Sequence, residues 1–341
     1  MRSSLLIVLS VLLFASCKNA AKKERGPSKL YDTKTACLLS QIAYCNDEQE
    51  ALNRYMPGWQ VVWESAELGG NHCVVATDGI TYGIAIRGSL IEFSWAAFQN
   101  WIYQDLNIVS VRSWGFTSDS SKAKIGEGSW DGWQNLVKMT DKKTGSTLFD
   151  FLTKNIQRDT PLLITGHSLG GNLATVYASW LSQQFANSKK PRDSINVITF
   201  AAPAAGNELF ARDFDKKFSR SMRYENANDI VPKFPCSSRM ATLSDLYTKM
   251  PLASEITVGY KDMTVSLSRV FSLLNIGLDI LEFTNGNASY AQTNGDGTVL
   301  NVPLSGENKS NTIESWLHEA GYHHGIARYA ISLNVPVVEC K

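Results

Sequence analysis

A serine flanked by glycines follows a short apolar segment near the middle of the chain. Gly166, Ser168 and Gly170 form the pattern G-x-S-x-G within the stretch LLITGHSLGG. A hydrophobic run leads into this pattern and an amphipathic run leaves it, which predicts a strand, a tight turn and a helix. In such a turn the serine hydroxyl stands above the end of the strand, where it can attack a carbonyl carbon. The pattern therefore predicts nucleophilic catalysis by Ser168.

A serine hydroxyl needs a base, and the base needs a carboxylate that orients it. In folds built around this turn the acid and then the histidine follow the serine along the chain. Asp229 comes just after a predicted strand from Met222 to Glu225, where an α/β sheet places its active residues. Asp296 is the alternative acid, although its surroundings, NGDG, are typical of a bare turn.

Three histidines follow Ser168 and are candidates for the base: His318, His323 and His324. Their order along the chain does not choose among them. The sequence pattern alone therefore leaves the identity of the catalytic base open among these three histidines.

The predicted elements alternate between strands and helices around these residues. This alternation favours an α/β fold with a mostly parallel sheet and helices on both faces. Helices are expected at 31–55, 91–101, 145–156 and 169–185, and strands at 59–64, 73–77, 80–87, 106–114, 161–165, 196–201 and 222–225.

The overall composition excludes several classes of protein. Hydrophobic residues make up 44% of the chain and charged residues 19%, as in a globular protein with a sizeable core. The 33 basic and 32 acidic residues nearly cancel, so we expect no nucleic-acid partner. Because no CxxC pattern or cysteine and histidine cluster is present, we expect neither a metal nor another cofactor.

The first residues have the pattern of an export signal. A positive Arg2 precedes the apolar run from Leu5 to Ala15, which is too short for a permanent membrane span. The small residues before Cys17 resemble a bacterial lipobox. We therefore predict a signal peptide at 1–16, an acylated Cys17 with a tether over 17–30, and one catalytic domain at 31–341. Such a protein would be anchored to a membrane surface of the bacterial cell envelope; the alternative is plain secretion.

The serine and aspartate segments together resemble the class 3 lipase family. GHSLGG at 166–171 and NDIVP at 228–232 are similar to the family's nucleophile motif and acidic loop. The family carries its histidine a few residues before a tyrosine, which favours His324 ahead of Tyr329 over His323 and His318. The resemblance implies an α/β-hydrolase fold and hydrolysis of lipid esters. It also implies two oxyanion donors, Ser89 and the Leu169 N–H, and a disulfide between Cys37 and Cys340, for which Cys45 is the competing partner of Cys340.

A helix that follows the oxyanion segment is expected to form a lid. Its apolar residues recur at helical spacing: Ile91, Trp95, Phe98 and Ile102. A second apolar stripe runs from Met263 to Phe283, where it can be core packing or an acyl-binding wall. Phospholipase A1 and feruloyl-type esterase activity remain alternatives, as does a non-catalytic surface lipoprotein that only binds lipid.

Overall fold

The computed structural model describes residues 32–89, 94–100, 107–108, 110–118, 122–188, 194–247, 253–260, 263–286, 288–306, 310 and 312–340. The predicted signal peptide (1–16), the tether (17–30) and Cys17 lie outside these residues. Of the predicted lid, Ile91 and Ile102 lie outside them as well, and so does the side chain of Phe98.

The described residues form helices and strands in alternation. The strands are β1 (Gln60–Glu64), β2 (Cys73–Thr77), β3 (Tyr82–Ile86), β4 (Val111–Ser113), β5 (Lys124–Gly126), β6 (Leu162–His167), β7 (Ile195–Phe200), β8 (Gly206–Asn207), β9 (Met222–Asn226), β10 (Thr257–Tyr260), β11 (Met263–Ser266), β12 (Tyr290–Ala291) and β13 (Thr298–Leu300). The helices are α1 (Thr33–Ile42), α2 (Glu48–Tyr55), α3 (Trp95–Asn100), α4 (Glu127–Lys138), α5 (Leu148–Asn155), α6 (Leu169–Asn187), α7 (Glu208–Lys217), α8 (Ser237–Met240), α9 (Leu267–Asn285), α10 (Ile313–His324) and α11 (Ile326–Ser332).

A seven-stranded sheet in the order β1-β2-β3-β6-β7-β9-β13 forms the centre of the fold. The first two pairings are antiparallel, and from β3 to β13 the strands run parallel. Asp78 and Gly79 close the β2–β3 hairpin as predicted, with Gly79 in the left-handed region at φ +85°. Because the parallel strands share one direction, the segments after β3, β6 and β9 meet at one edge of the sheet.

The buried strand β6 contributes to hydrophobic cores on both faces of the sheet. Leu162 and Ile164 join the core on one face, whereas Leu163 joins the other, as the two-residue period of a strand requires. Helices α4, α5 and α6 pack on the first face, and α1 and α2 pack on the second. Each fully buried aliphatic side chain of this kind contributes about 1.5–3 kcal/mol to stability.

The segment predicted as one helix over 31–55 consists of two helices. Helix α1 ends at Ile42, and α2 begins at Glu48 after a turn. The side chain of Asp47 accepts a hydrogen bond from the Glu50 N–H and so caps a new helix. An interior aspartate that can cap favours a new start over continuation of the helix.

The strand predicted over 106–114 is wrong in its extent, since β4 covers only Val111–Ser113. It belongs to a second, antiparallel sheet in the order β12-β8-β5-β4. The buried Trp114 follows β4, and its indole N–H donates to the Ser179 hydroxyl on α6. The apolar character of this stretch therefore reflects packing against α6 more than a long strand.

The predicted disulfide between Cys37 and Cys340 is wrong, because Cys340 is bonded to the competing Cys45. Cys37 is a buried free thiol on α1. The C-terminal segment lies along α1, where Gln41 donates to the Pro336 carbonyl and accepts from the Val338 N–H. This places Cys340 beyond the end of α1, beside Cys45.

Candidate active site

Ser168 occupies a strained turn between β6 and α6. Its φ of 59° and ψ of −131° are unfavourable for a residue with a side chain. A Cβ on Gly166 would lie 2.4 Å from the Gly170 carbonyl, and a Cβ on Gly170 would lie 2.1 Å from the Ile86 carbonyl oxygen. Both positions therefore require glycine if the turn is to be this tight. The predicted strand, turn and helix are all present.

Ser168, His324 and Asp229 form one continuous chain of hydrogen bonds. The Ser168 Oγ lies 2.9 Å from the His324 Nε2. The His324 Nδ1 lies 2.9 Å from Asp229 Oδ2 and 3.1 Å from Oδ1. Nδ1 donates to the carboxylate, so Nε2 can accept the serine proton. All three side chains are buried.

Asp229 is held as a carboxylate by several donors. The Tyr329 hydroxyl donates to its Oδ2 at 2.7 Å, and the Val231 N–H donates to its Oδ1 at 2.9 Å. Burial raises the pKa of a carboxyl group, but His324 and the hydrogen bonds from His324, Tyr329 and Val231 outweigh burial. The pKa of Asp229 is therefore lowered from its usual value. The hydroxyl of Tyr329 also accepts from the Asn226 N–H at 2.9 Å, which ties α11 to the end of β9.

The main chain of His324 is fixed by a second pair of side chains. His167 donates from Nε2 to the His324 carbonyl at 2.8 Å, and its Nδ1 accepts from the Tyr44 hydroxyl at 3.0 Å. Burial and the nearby His324 lower the pKa of His167 to about 3, so the ring is neutral as these two bonds require. His324 is the last residue of α10, and this contact sets where the helix ends relative to β6.

The sequence predicts no supporting contact for three residues of the site: Tyr44, His167 and Tyr329. Tyr329 serves in the sequence-based prediction only to mark the spacing from His324. His167 is visible inside the nucleophile motif, but nothing in the sequence indicates that it contacts a helix more than 150 residues later. Tyr44 lies in the turn after α1 and carries no motif.

The other predicted histidines and the alternative acid have different surroundings. His323 Nε2 pairs with Glu319 at 3.1 Å, and its Nδ1 accepts from Asn226 Nδ2 at 2.9 Å. His318 is exposed on α10. Asp296 lies in the turn between Gly295 and Gly297, both with positive φ. The geometry thus favours His324 as the base over His323 and His318. It favours Asp229 as the acid over Asp296.

Ser89 and Leu169, the predicted oxyanion donors, lie on the two segments that flank the serine. A Cβ on Gly88 would lie 3.2 Å from the Ser168 Cβ, so the chain entering Ser89 passes beside the nucleophile. Leu169 is the first residue of α6, where a helix N–H has no acceptor within the helix. The positive end of the α6 dipole lies at this N-terminus, next to Ser168.

Trp95 is the predicted lid residue whose side chain the structure describes. It lies on α3, half-buried, and its indole N–H donates to the Gly259 carbonyl on β10 at 2.9 Å. A cleft of about 690 Å³ lies between α3 and α10 and is lined by Trp95, Leu317, Tyr322 and Arg328. The cleft lies next to the last turn of α10, which ends at His324.

Metal-ligand atoms come together at one place in the described part of the chain. Glu48, Glu64 and His72 have ligand atoms within 4.8 Å of one another. His72 Nε2 contacts Glu48 at 2.6 Å, and Glu64 forms an ion pair with Lys142. These groups therefore satisfy one another as a buried pair and a surface ion pair, and they take no part in the serine site.

Known proteins similar to this chain include several lipases. Residues 84–238 match the family model described as "Lipase (class 3)". The chain is 33% identical over 91 residues to Lipase ZK262.3 of Caenorhabditis elegans, covering 27% of this chain and 25% of that protein. It is 36% identical over 75 residues to phospholipase A1-II 1 of Oryza sativa subsp. indica, covering 22% and 18%. The chain thus spans a quarter or less of the length of these two relatives.

A longer match and a solved structure extend the similarity. Secreted mono- and diacylglycerol lipase 1 of Fusarium solani is 24% identical over 168 residues, which are 46% of this chain and 41% of that protein. The crystal structure of M37 lipase superposes with a TM-score of 0.71 at 23% identity and covers 89% of this chain and 93% of that one. The parallel sheet, the serine turn and these similarities give the chain an α/β-hydrolase fold, as predicted, with residues 84–238 matching the class 3 lipases.

Proposed function

We propose that the protein is a serine hydrolase that cleaves carboxylic esters of lipids through an acyl-enzyme. The observation that carries the proposal is the unbroken chain of hydrogen bonds from Ser168 through His324 to Asp229, at a strained turn. A fold that needed only stability would not join a buried serine, histidine and aspartate in this order and hold the serine itself at a positive φ.

The reaction has two halves. His324 Nε2 takes the Ser168 proton as Oγ bonds to the ester carbonyl carbon, and Asp229 stabilises the imidazolium. Ser89 and the Leu169 N–H stabilise the negative oxygen of the tetrahedral intermediate. His324 then gives its proton to the departing alcohol. In the second half His324 activates a water molecule that attacks the acyl-serine, and release of the fatty acid restores Ser168.

Lipid esters are the proposed substrates because the similar proteins are lipases and phospholipases A1. The predicted lid helix α3 supports the same choice, because its apolar Trp95 lines the cleft beside α10, the helix that ends at His324. Phospholipids are the alternative lipid class. Feruloyl-type esters and a purely lipid-binding role are the remaining alternatives, and the hydrogen-bonded triad argues against the second.

A fluorophosphonate probe tests the nucleophile directly. We expect it to label the wild-type protein on Ser168 and to leave purified Ser168→Ala unlabelled. Removal of the acylating group reduces turnover by several powers of ten. A folded Ser168→Ala variant that keeps a tenth of the wild-type rate would disprove the assignment. A panel of short nitrophenyl esters, triacylglycerols, phospholipids and feruloyl esters then identifies the substrate class.

We also propose that the protein is exported and anchored through acylated Cys17. The apolar run before this cysteine supports the proposal, as does the similarity to a secreted lipase. Within the described ranges, no helix is long and apolar enough to cross a membrane. Fractionation of cells tests the anchor. We expect the wild type in the membrane fraction with a fatty-acylated Cys17, and a Cys17→Ser variant found there in unchanged amount, without detergent, would contradict it.

A further inference from the structure

Helix α9 has apolar side chains on two opposite faces. The inner face, which includes Leu267, Phe271, Leu274 and Leu278, packs into the core. This agrees with core packing for the stripe predicted over Met263 to Phe283. A helix in which only one face is buried ordinarily has polar residues on the opposite face.

The outer face of α9 is apolar along its second half. Ile276, Ile280 and Phe283 recur at intervals of four and three, so they lie in one line. Their exposed fractions are 49%, 57% and 90%. A phenylalanine that is 90% exposed beside two exposed isoleucines forms a continuous apolar ridge, which soluble surfaces usually avoid. We call these three residues the α9 ridge.

The α9 ridge belongs to the part of the molecule that surrounds the proposed active site. The hairpin β10–β11 leads directly into α9, and its Gly259 carbonyl accepts the indole N–H of Trp95 on the lid helix. On the inner face, Phe271 packs against Trp316 of α10 with ring centroids 5.6 Å apart. Helix α10 ends at His324. Helix α9 is therefore connected to both the lid helix and the helix of the proposed base.

Helix α9 has a third connection to the site, through the segment that follows the loop of Asp229. Helix α8 follows this loop, and its Ser237 donates to Asp279 Oδ1 at 3.0 Å and accepts from Asn275 Nδ2 through its carbonyl at 3.3 Å. These bonds join the polar flank of α9 to α8 and leave the ridge outermost. Helix α9 thus packs against elements that follow the sheet edge at which Ser168 and Asp229 lie.

We propose that the α9 ridge docks on the surface of the lipid aggregate that contains the ester substrate. The inference rests on the proposed function, since a lipid ester is presented at such a surface. A helix lying in a membrane interface inserts an apolar face by about 5–10 Å and keeps charged residues at its sides. The ridge fits this geometry, with Asp279 and Glu282 beside it. Helix α9 is not long and apolar enough to cross a bilayer.

A fluorescent label at the ridge tests the docking. The free cysteines of the described residues are Cys37, Cys73 and Cys236, all buried, so an exposed thiol at position 283 is labelled selectively. We would label Phe283→Cys in the full-length exported protein with a nitrobenzoxadiazole dye and add phosphatidylcholine vesicles. Protein without the substitution, treated with the same dye, measures any labelling of Cys17, and this signal is subtracted. A tether at Cys17 holds the protein near vesicles but does not remove water from position 283.

A matched control comes from the opposite edge of the sheet. Ile80 is 62% exposed in the turn before β3, at the end of the sheet away from Ser168. We expect the emission of the dye at position 283 to shift to shorter wavelength and to increase severalfold on adding vesicles, while the same dye on Ile80→Cys is unchanged. No shift at position 283 would overturn the proposal. A shift without vesicles that grows with protein concentration would also overturn it, in favour of a second copy of the chain as the partner.

A functional variant separates docking from catalysis. We expect Ile280→Ser with Phe283→Ser to weaken partitioning to vesicles about tenfold or more, because two apolar side chains no longer enter the interface. Turnover of a soluble short nitrophenyl ester should be unchanged, and Ile80→Ser should alter neither quantity. Unchanged vesicle partitioning by a folded double variant would overturn the proposal. If the wild type hydrolysed no ester, the proposed function would fail, whereas the dye shift would still report docking.

Discussion

Two adjacent histidines on α10 differ in what they contact, and this difference supports the different roles proposed for them. His324 reaches Ser168 and Asp229, whereas His323 lies between Glu319 and Asn226. Burial lowers the pKa of His323 despite the opposing effect of Glu319, so that ring takes part in packing as a neutral group. Neighbouring positions on a helix point about 100° apart, which is enough to separate catalysis from structure.

Substitution of the two histidines should separate these roles. We expect His324→Ala to reduce kcat/KM by roughly 10³-fold or more, because Ser168 loses its base. His323→Ala should keep kcat/KM within about tenfold and lower the free energy of unfolding by about 1–3 kcal/mol, because its partners are left unsatisfied. Ester kinetics and denaturant unfolding measure the two effects. An inactive His323→Ala beside an active His324→Ala would reverse the assignment.

His167 should make stability depend on pH. Its pKa is about 3 in the folded protein and 6.5 as a free side chain. Between these values the unfolded chain binds a proton that the folded chain does not, so stability falls as pH decreases from about 6.5 toward 3. The slope contributed by one such proton is about 1.4 kcal/mol per pH unit. Below about pH 3 both states are protonated and the loss stops.

The variant His167→Gln isolates this contribution. Its amide can donate to the His324 carbonyl but does not titrate, so we expect a shallower loss of stability than in the wild type over about pH 6–4. Denaturant unfolding at each pH measures the difference. At about pH 7.5 the histidine is neutral in both states, so the difference in the free energy of unfolding between the two proteins measures the change in packing alone. Identical slopes would mean that His167 is already protonated in the folded protein.

At the scale of elements, helix α3 follows the proposed oxyanion segment along the chain and borders a cleft beside α10, the helix that ends at His324. Trp95 is half-buried against the core, and a hydrogen bond joins its indole to β10. An element that is only partly buried opens more readily than the central sheet does. The movement of α3 as a lid at a lipid surface stays a prediction.

Substitution of Trp95 tests the lid. We expect Trp95→Ala to reduce activity on emulsified long-chain esters by about tenfold, because the apolar face that enters the lipid surface is lost. The rate on soluble short esters should remain near that of the wild type. Trp95→Phe keeps an apolar ring without the indole N–H and should retain most of the emulsion activity. If Trp95→Ala lost both activities together with a lower Tm, Trp95 would be a packing residue and not part of a lid.

On the scale of the whole molecule, the two ends of the described chain are joined beside α1. Cys45 and Cys340 are 295 residues apart in sequence and form a disulfide. The C-terminal segment reaches Cys45 because Gln41 holds its backbone through two hydrogen bonds. A bond that closes so long a loop restricts the unfolded chain strongly.

Removal of this bond should destabilise the whole domain. We expect Cys45→Ser with Cys340→Ser to lower the free energy of unfolding by about 2–5 kcal/mol, with ester turnover retained at about 25 °C. Wild type treated with a reducing agent should unfold at a similarly lowered Tm. Peptide mapping without reduction should recover a peptide that joins residues 45 and 340. A linked peptide containing Cys37 would contradict this pairing.

The sequence by itself determined the features that depend on neighbouring residues. The turn at Ser168 could be predicted because its glycines and the flanking apolar periods are local, and the alternation of elements implied the α/β fold. Asp229 could be proposed because it follows a strand. The break between α1 and α2 depends on a local cap at Asp47 but was hidden by the continuous apolar spacing.

Only the tertiary structure decided features that depend on residues far apart in sequence. The choice of His324 over His323 depends on the rotation of α10 relative to β6. Hydrogen bonds of Tyr44, His167 and Tyr329, which span 100 or more residues, fix this rotation. The pairing of Cys340 with Cys45 depends on how far the C-terminal segment extends along α1. The outward ridge of α9 depends on which of two apolar faces meets the core. A sequence period shows that a face is apolar, but burial is determined by the partner that packs on it.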